Sequence, residues 1–194
     1  MIIAVTGGIG SGKSLVIEEF SKFPNVVTYI ADEETKKLMT TSSDVRKKII
    51  KTFGEEAYVN NQLNREFIAS IVFKDEQKLK EINSIVHPEV SKHFFEFAQL
   101  HTDKIILYES ALVFETGYAK KFNYVITVTA PLHTRIERII NRDKTIQEQV
   151  FQRMSKQWKE DKKTLQSHYI ISNKQIEETK AQIKRIYNIL TENS

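Results

Sequence analysis

A glycine-rich segment near the start of the chain constrains the possible folds more than any other stretch. The segment Gly7-Gly8-Ile9-Gly10-Ser11-Gly12-Lys13-Ser14 follows an apolar run and precedes an apolar helical pattern. Its spacing is typical of a loop that binds phosphate groups between a strand and a helix. Glycines let backbone N–H groups turn toward a phosphate, and the start of a helix adds unpaired donors and the positive end of a dipole. We therefore predict that residues 7–14, the phosphate loop, bind a nucleoside triphosphate.

Side chains at the end of this loop have predicted roles of their own. Lys13 would contact the β- and γ-phosphates, and the Ser14 hydroxyl would bind Mg²⁺, which prefers oxygen ligands and is bound partly through substrate phosphates. The residues predicted to hold the phosphates of the nucleoside triphosphate are Gly10, Ser11, Gly12, Lys13, Ser14 and Leu15.

Short apolar runs alternate with helical patterns along the chain, which favours an α/β fold with a parallel sheet and helices on both faces. The predicted strands are 2–6, 26–31, 105–108, 124–128 and 169–173. The region between the second and third strands has a helical pattern without a strand signal, interrupted at His87-Pro88. We expect a helical insertion there. Residues 146–163 are predicted to form one polar helix.

Composition excludes several classes of protein. The 194 residues include no cysteine, so disulfides and thiolate metal sites are ruled out. No apolar run is long enough to span a membrane, and the start of the chain lacks the pattern of an export signal. The net charge of +4 suits a polyanionic small molecule, and no platform of aromatic and basic residues indicates RNA binding. We expect a cytoplasmic monomer that binds neither membrane nor nucleic acid.

Other proteins with a phosphate loop fit this sequence poorly. A regulatory GTPase needs Asn-Lys-x-Asp to recognise guanine, but the chain reads Asn173-Lys174-Gln175-Ile176, and no Asp-x-x-Gly segment occurs. An ATPase motor needs an acid at the end of a strand, and Tyr108-Glu109 matches that pattern only loosely. A small kinase remains.

A kinase needs a carboxylate near the acceptor hydroxyl and cations near the transferred phosphoryl group. Asp32 follows the second predicted strand, at the edge of a parallel sheet where ligands collect. Arg138, Arg142 and Arg153 lie on or beside a polar segment that can form a lid, and their planar guanidinium groups match phosphate oxygens. We predict catalytic roles for Asp32, Lys13 and Arg142.

Several further motifs resemble those of the dephospho-coenzyme A kinase family. The phosphate loop, Asp32 and the pair of segments Leu63-Asn64-Arg65 and Val72-Phe73 match family patterns. The remaining matches are Ile85-Val86-His87-Pro88, Ala111-Leu112-Val113-Phe114-Glu115, Arg138, Arg142-Asp143, Arg153, Gln157 and Ile170-Ile171-Ser172-Asn173. The chain departs from the family at Ile30, which replaces an acid, at Ala111, which replaces a proline, and at Lys174 beside the adenine site.

The resemblance implies phosphoryl transfer from ATP to the ribose 3′-hydroxyl of dephospho-coenzyme A (dephospho-CoA), the final step of coenzyme A (CoA) biosynthesis, with Mg²⁺. It implies acceptor-binding roles for Asp32, Arg65, His87 and Glu115. It also implies ATP contacts for Arg138, Arg142 and Asn173, and a contact of Glu109, through water, with the Mg²⁺ that Ser14 binds.

The same resemblance divides the chain into three predicted parts. Residues 1–32, 103–137 and 164–194 would form the nucleotide-binding core, residues 33–102 a helical subdomain for the CoA substrate, and residues 138–163 a lid. Two alternatives stay open. One is another small P-loop kinase, acting on a nucleoside, a nucleoside monophosphate or a small alcohol such as shikimate. The other is a nucleotide-binding regulator without catalysis.

Overall fold

The structure is a computed structural model that describes residues 1–192; residues 193 and 194, at the end of the predicted core range, lie outside the described part. The chain runs in order through β1 (Ile2–Thr6), α1 (Lys13–Phe20), β2 (Val26–Ile30), α2 (Ala31–Thr41), α3 (Ser43–Phe53), β3 (Tyr58–Val59), β4 (Gln62–Leu63), α4 (Arg65–Val72), α5 (Glu76–Gln99), β5 (Ile105–Glu109), β6 (Tyr124–Thr129), α6 (Leu132–Asp143), α7 (Gln147–Ser155), α8 (Glu160–Thr164), β7 (Tyr169–Ser172) and α9 (Ile176–Glu192).

The chain divides into two compact units, Met1–Tyr29 with the chain from His101 onward, and Ile30–Leu100. The larger unit is built on a five-stranded sheet with the order β2-β5-β1-β6-β7. Strand β1 lies at its centre and pairs in parallel with β5 on one side and with β6 on the other. Because parallel strands end at the same edge, the loop that follows β1 emerges between the ends of two neighbouring strands, where ligands of such sheets bind.

The central strand is buried on both faces. Ile3, Ala4, Val5 and Thr6 have no exposed surface, which is the pattern of a parallel strand covered by helices on either side. Helix α1 contacts α9 and both β1 and β5, and α9 also contacts β7. The predicted parallel α/β architecture is therefore confirmed. No helix among residues 1–192 is long and apolar enough to cross a membrane.

The smaller unit is helical around the long helix α5, which contacts α2, α3 and α4. Its core is formed by Val45, Ile49, Phe53, Ile68, Ile82, Val86 and Val90. Ser42 caps α3, because its hydroxyl accepts a hydrogen bond from the Val45 amide at 3.4 Å. Gly54 ends that helix with a φ of 92°, in the region of backbone conformation that favours glycine.

Three details of the predicted elements are wrong. The predicted helical insertion is not free of strands: it contains a short hairpin of β3 and β4, whose turn residues Asn60 and Asn61 both have positive φ. Helix α5 continues through His87 and Pro88 without interruption. Residues 146–163 form two helices, α7 and α8, because the backbone N–H of Trp158 donates to Glu115 at 2.7 Å instead of to a helical carbonyl.

Candidate active site

The phosphate loop connects β1 to α1, and the start of that helix has no side-chain cap. Gly12 occupies the cap position in the left-handed region, with a φ of 93° that favours glycine, and no side chain accepts from the first turn. The first N–H groups of a helix have no partner within it. This end of α1 therefore offers donors and a positive dipole end to an anion.

The glycines of the loop also permit close packing from behind. A Cβ at Gly8 would lie 2.1 Å from Arg135, and a Cβ at Gly10 would lie 2.6 Å from the Arg135 carbonyl. A Cβ at Gly12 would lie 1.9 Å from the Asn173 amide. From the sequence, we predict that the glycines let backbone N–H groups turn toward a phosphate. The structure adds that they let the loop rest directly on α6 and on the end of β7.

Lys13 extends along the inside of the loop. Its ammonium donates to the Gly7 carbonyl at 3.1 Å and lies 3.7 Å from a carboxylate oxygen of Glu109 at the end of β5. Both side chains keep only 12% of their surface exposed, so little water screens the pair. The structure thus brings together the predicted phosphate-binding lysine and one of the two predicted metal ligands. Ser14, the other predicted ligand, is exposed in the first turn of α1.

Arg135 is a residue of the site that the sequence analysis missed. It is 9% exposed, and its Nε donates to the Ile9 carbonyl at 3.0 Å. A second nitrogen of the guanidinium lies 3.2 Å from Glu160 of α8. Its position one turn before Arg138 was the available signal, because residues three apart share a helix face.

Arg138 and Asn173 also hold the loop. Arg138 donates to the Gly10 and Ser11 carbonyls, both at 3.4 Å. The Asn173 side chain is 2% exposed and donates to the Ser11 carbonyl at 2.8 Å, while its own oxygen accepts from Thr179. Both side chains therefore position the loop. Their contacts with ATP, including the adenine contact of Asn173, stay predictions.

Arg142 lies near the end of α6 with its guanidinium on Asp143, at 2.7 and 3.1 Å. Arg153 of α7 donates to the same carboxylate at 2.5 Å. The two arginines together hold the pKa of the Asp143 carboxyl well below its usual range, at about 2. Arg142 must exchange this contact for phosphate oxygens if it binds ATP, as predicted.

We expect the contribution of Asp143 to stability to depend on pH. Its folded-state pKa is lowered from 3.8 to about 2, so the contribution is complete above the unfolded pKa and is lost as pH falls through the folded pKa. Asp143→Asn should lower the free energy of unfolding by about 1 kcal/mol or less at pH 7, because the pair is exposed. Urea unfolding of both proteins from pH 7 to pH 2 checks this. A difference that stays constant down to pH 2 would contradict it.

Glu115, predicted to bind the acceptor, is engaged by neighbouring residues of the larger unit. One of its oxygens accepts from the Trp158 amide at 2.7 Å and from the Lys163 ammonium at 2.8 Å. Its other oxygen is buried and has no hydrogen-bond partner among the described residues. The first oxygen therefore anchors the start of α8, and the second keeps its capacity to accept a hydrogen bond.

The other predicted acceptor residues, Asp32, Arg65 and His87, lie in the smaller unit, and each is exposed. Asp32 stands in the first turn of α2, and Ile30 rather than Asp32 is the cap residue of that helix. Arg65 opens α4, and the protein around His87 in α5 lowers the pKa of its imidazole by desolvation. His87 is therefore neutral at pH 7 and suited to hydrogen bonding rather than to charge attraction.

The donor set of the larger unit fits a nucleoside triphosphate. An uncapped helix start and a lysine face the loop, and Glu109 lies beside that lysine. Two buried hydroxyl oxygens at the loop, those of Thr6 and Ser11, have no partner among residues 1–192. Within those residues no cluster of three or more His, Asp or Glu is placed to hold a metal ion. An ion here would therefore be bound largely by the phosphates of the nucleotide.

This sheet order and loop define the class of small P-loop kinases, as predicted. The shikimate kinase from Acinetobacter baumannii shares the fold with a TM-score of 0.57, covering 98% of this chain and 93% of that one. Its sequence is 16% identical, so the likeness shows the fold alone.

The particular family follows from the sequence comparisons. The family model described as "Dephospho-CoA kinase" matches residues 1–178. A dephospho-CoA kinase from Bacteroides fragilis is 36% identical over 173 residues, which cover 88% of this chain and 83% of that protein. A crystal structure of a Thermus thermophilus protein matches with a TM-score of 0.87 and 27% identity, covering 100% of this chain and 98% of the other. This chain belongs to the dephospho-CoA kinase family, which confirms the predicted resemblance.

Proposed function

We propose that this protein is a dephospho-CoA kinase, which transfers the γ-phosphoryl group of ATP to the ribose 3′-hydroxyl of dephospho-CoA in the final step of CoA biosynthesis. Family membership supports this reaction over the other small kinases considered from the sequence. The observation that carries it in the structure is the Lys13 ammonium, 3.1 Å from the Gly7 carbonyl at the uncapped start of α1.

In this proposal the larger unit binds ATP. Backbone N–H groups from Gly10 to Leu15 hold the phosphates, and Lys13 contacts the β- and γ-phosphates in the nearly buried position where it now contacts Gly7 and Glu109. In this shielded position its charge acts more strongly on the phosphoryl oxygens than it would in water. Arg138 and Arg142 add cations beside the loop, and Asn173 borders the adenine.

Ser14 and Glu109 are the residues that would hold Mg²⁺. A hydroxyl and a carboxylate are oxygen donors of the kind that this ion prefers. When bound with ATP, the ion neutralises charge on the phosphate oxygens. Since Glu109 lies 3.7 Å from Lys13, it would have to share its carboxylate between the lysine and the hydrated ion.

Asp32 is proposed to bind the acceptor hydroxyl. The 3′-oxygen attacks the γ-phosphorus, the bond from that phosphorus to the oxygen of ADP breaks, and the hydroxyl proton passes to the Asp32 carboxylate. A loose transition state demands little early proton removal, so orientation of the hydroxyl is the main contribution of this carboxylate. Arg65, His87 and Glu115 would contact the rest of dephospho-CoA, with His87 as a neutral hydrogen-bonding group.

The three predicted parts of the chain retain these roles in the proposal: a core, a helical subdomain at residues 33–102 for the acceptor, and a lid at residues 138–163. Contacts within the larger unit refine the lid. Residues 157, 158, 160 and 163 each bond to the core, so we propose that the moving part is α7 with its flanking residues. Lys144 precedes α7 with a φ of 50°, which marks a sharp turn on which it can pivot.

Closure of α7 on ATP predicts a change in protease sensitivity. Trypsin cleavage after Lys144, Arg153 and Lys156 should slow several-fold when ATP is bound, because an ordered segment exposes less flexible backbone. Mass spectrometry of timed digests with and without a nonhydrolysable ATP analogue measures the three rates. Cleavage after Lys180 and Lys184 in α9 serves as the internal control. Equal rates at the three lid positions in both conditions would contradict closure.

A coupled ADP-release assay tests the reaction itself. Dephospho-CoA, adenosine, cytidine monophosphate and shikimate are compared as acceptors at equal concentration. We expect turnover with dephospho-CoA only and a product carrying phosphate on the 3′-oxygen. Turnover of another acceptor without turnover of dephospho-CoA would replace this function, and ATP binding without any turnover would favour a regulator. We further propose that the enzyme works in the cytoplasm and that it is a monomer. Sedimentation analysis of the purified protein checks the oligomeric state.

A further inference from the structure

Both backbone polar groups of Ile9, in the middle of the phosphate loop, are hydrogen-bonded to side chains, its N–H to Gln157 and its carbonyl to Arg135. Its N–H donates to the side-chain oxygen of Gln157 at 2.9 Å. Its carbonyl accepts from Arg135 at 3.0 Å, and Arg135 in turn contacts Glu160 at 3.2 Å. A loop that presents its N–H groups to phosphate depends on the orientation of such peptides. Residues 157 and 160 are 148 and 25 positions from Ile9 and Arg135 respectively, so these contacts are tertiary.

Arg135 fills the space behind the loop. A Cβ at Gly8 would lie 2.1 Å from its guanidinium, so the group lies directly against the backbone. Burial lowers the pKa of the Arg135 guanidinium and raises that of the Glu160 carboxyl, and the two side chains keep 11% and 29% of their surface exposed. A buried guanidinium needs hydrogen-bond acceptors and a compensating negative charge. The Ile9 carbonyl accepts one hydrogen bond, and Glu160 supplies the negative charge. Glu160 therefore holds Arg135 in the orientation that reaches the loop.

The segment 157–163 is itself fixed to the core at its other end. Lys163 is 1% exposed, and its ammonium contacts the Ala111 carbonyl at 2.6 Å and Glu115 at 2.8 Å. The Trp158 ring stacks with Phe114 at a centroid distance of 6.1 Å, and the Lys162 ammonium lies over the same ring. The segment is therefore an anchored support for the loop and is distinct from the exposed helix α7.

We propose that segment 157–163 sets the shape of the phosphate loop for ATP, with Gln157, Glu160 and Arg135 as positioning residues. This inference rests on the proposed function only in taking ATP as the ligand of the loop. Gln157 fixes the peptide group before Ile9 directly, and Glu160 fixes the peptide group after it through Arg135. Loss of either contact lets one of these two peptide groups rotate, so the loop must be reordered each time the nucleotide binds.

The test is ATP binding by Gln157→Ala, measured by titration calorimetry with Mg²⁺ and a nonhydrolysable ATP analogue. Loss of one hydrogen bond that preorganises the loop should raise the Kd about three- to tenfold. Gln99→Ala is the matched control, because Gln99 is the same residue type, is exposed, and ends α5 outside the proposed lid. It should bind as the wild type does. A Kd for Gln157→Ala within about twofold of the wild type overturns the proposal.

Glu160 supplies a second, independent pair of variants. Glu160→Ala leaves Arg135 without its carboxylate, whereas Glu160→Gln retains an oxygen that can accept from the guanidinium. We expect weaker binding of the analogue in the first and recovery of most of the affinity in the second, with unchanged KM for dephospho-CoA in both. Equal affinity in the two variants and the wild type overturns the role of Glu160. Thermal melting of each variant beforehand confirms that it is folded.

Trp158, the single tryptophan of the chain, reports on the same segment. Its emission should change when the wild type binds the analogue, and the change should be smaller in Gln157→Ala at saturating ligand. If the change in Trp158 emission is equally large in Gln157→Ala and in the wild type, Gln157 does not couple segment 157–163 to nucleotide binding, and that part of the proposal is overturned. Wild-type turnover separates the two proposals. If the wild type does not phosphorylate dephospho-CoA but its ATP affinity still depends on Gln157, only the proposed reaction is refuted. If the wild type is active and Gln157→Ala binds the analogue equally well, only the proposed role of segment 157–163 is refuted.

Discussion

Lys13→Met is expected to lower turnover with dephospho-CoA by about two to three orders of magnitude, the cost of removing one preorganised charge from a transition state that concentrates charge on phosphoryl oxygens. Methionine preserves the apolar stem of the side chain and removes only the ammonium. In the free protein that ammonium lies 3.1 Å from the Gly7 carbonyl and 3.7 Å from Glu109. The substitution thus removes a cation from the position in which the structure holds it before ATP arrives. Steady-state rates of ADP release measure the effect.

This substitution also removes the Lys13 ammonium from beside Glu109, which is 9% exposed. A loss of activity could therefore come from a loss of stability, and a second variant is needed to separate the two effects. The double variant Lys13→Met with Glu109→Gln removes both charges of the pair. We expect it to melt closer to the wild type than the single variant does and to remain inactive. Recovery of turnover together with stability would mean that Lys13 serves the fold alone. Near-normal turnover in the single variant would remove Lys13 from the catalytic machinery.

The parts of the fold that could be predicted from the sequence are those in which one local pattern decides the structure. The phosphate loop has its glycines, lysine and serine in fixed register, and β1 is an apolar run of the length that a buried parallel strand needs. Ser42 and Gly54 were predictable as the start and stop of α3, since cap residues act within their own turn.

Other parts depend on contacts that no local pattern contains. Helix α5 continues through Pro88 although proline has no N–H to donate to the Ser84 carbonyl. Both residues lie on the exposed side of the helix, where water can bond to that carbonyl instead. The hairpin of β3 and β4 has strands of two residues each, too short for an alternation to be recognised. Trp158 ends the helical pattern of residues 146–163 because Glu115, 43 positions earlier, accepts its N–H.

The site shows the same division. Lys13, Ser14 and the glycines were predictable as a motif, and Glu109 was predictable as an acid at a strand end. The role of Arg135 as a support was not, because its spacing of three from Arg138 gives a shared helix face but no local pattern shows that this guanidinium lies against the loop. Asn173 illustrates the converse, since its position at the end of β7 was foreseen but its bonds to Ser11 and Thr179 were not.

Asp32→Asn is expected to lower turnover by two or more orders of magnitude with a modest change in ATP affinity, because asparagine keeps the size of the side chain but neither accepts the proton nor holds the hydroxyl as strongly. The structural alternative, that Asp32 caps α2, is disfavoured, since the cap residue is Ile30 and Asp32 lies within the first turn. What remains for the fold is a favourable interaction with the helix dipole, which Glu33 shares as the next acid of the same turn.

Glu33→Gln is therefore the matched control for Asp32→Asn. Both substitutions remove one exposed negative charge from the first turn of α2, so both should cost about 0.3–1 kcal/mol of stability through the dipole. Only Asp32→Asn should reduce kcat, and the Kd of the ATP analogue should stay within about threefold of the wild type in both, because the phosphates are held elsewhere. If the two variants lose activity equally, the carboxylate acts through the helix and not on the 3′-hydroxyl. If Asp32→Asn retains near-normal turnover, the group that binds the 3′-hydroxyl and accepts its proton must be another residue.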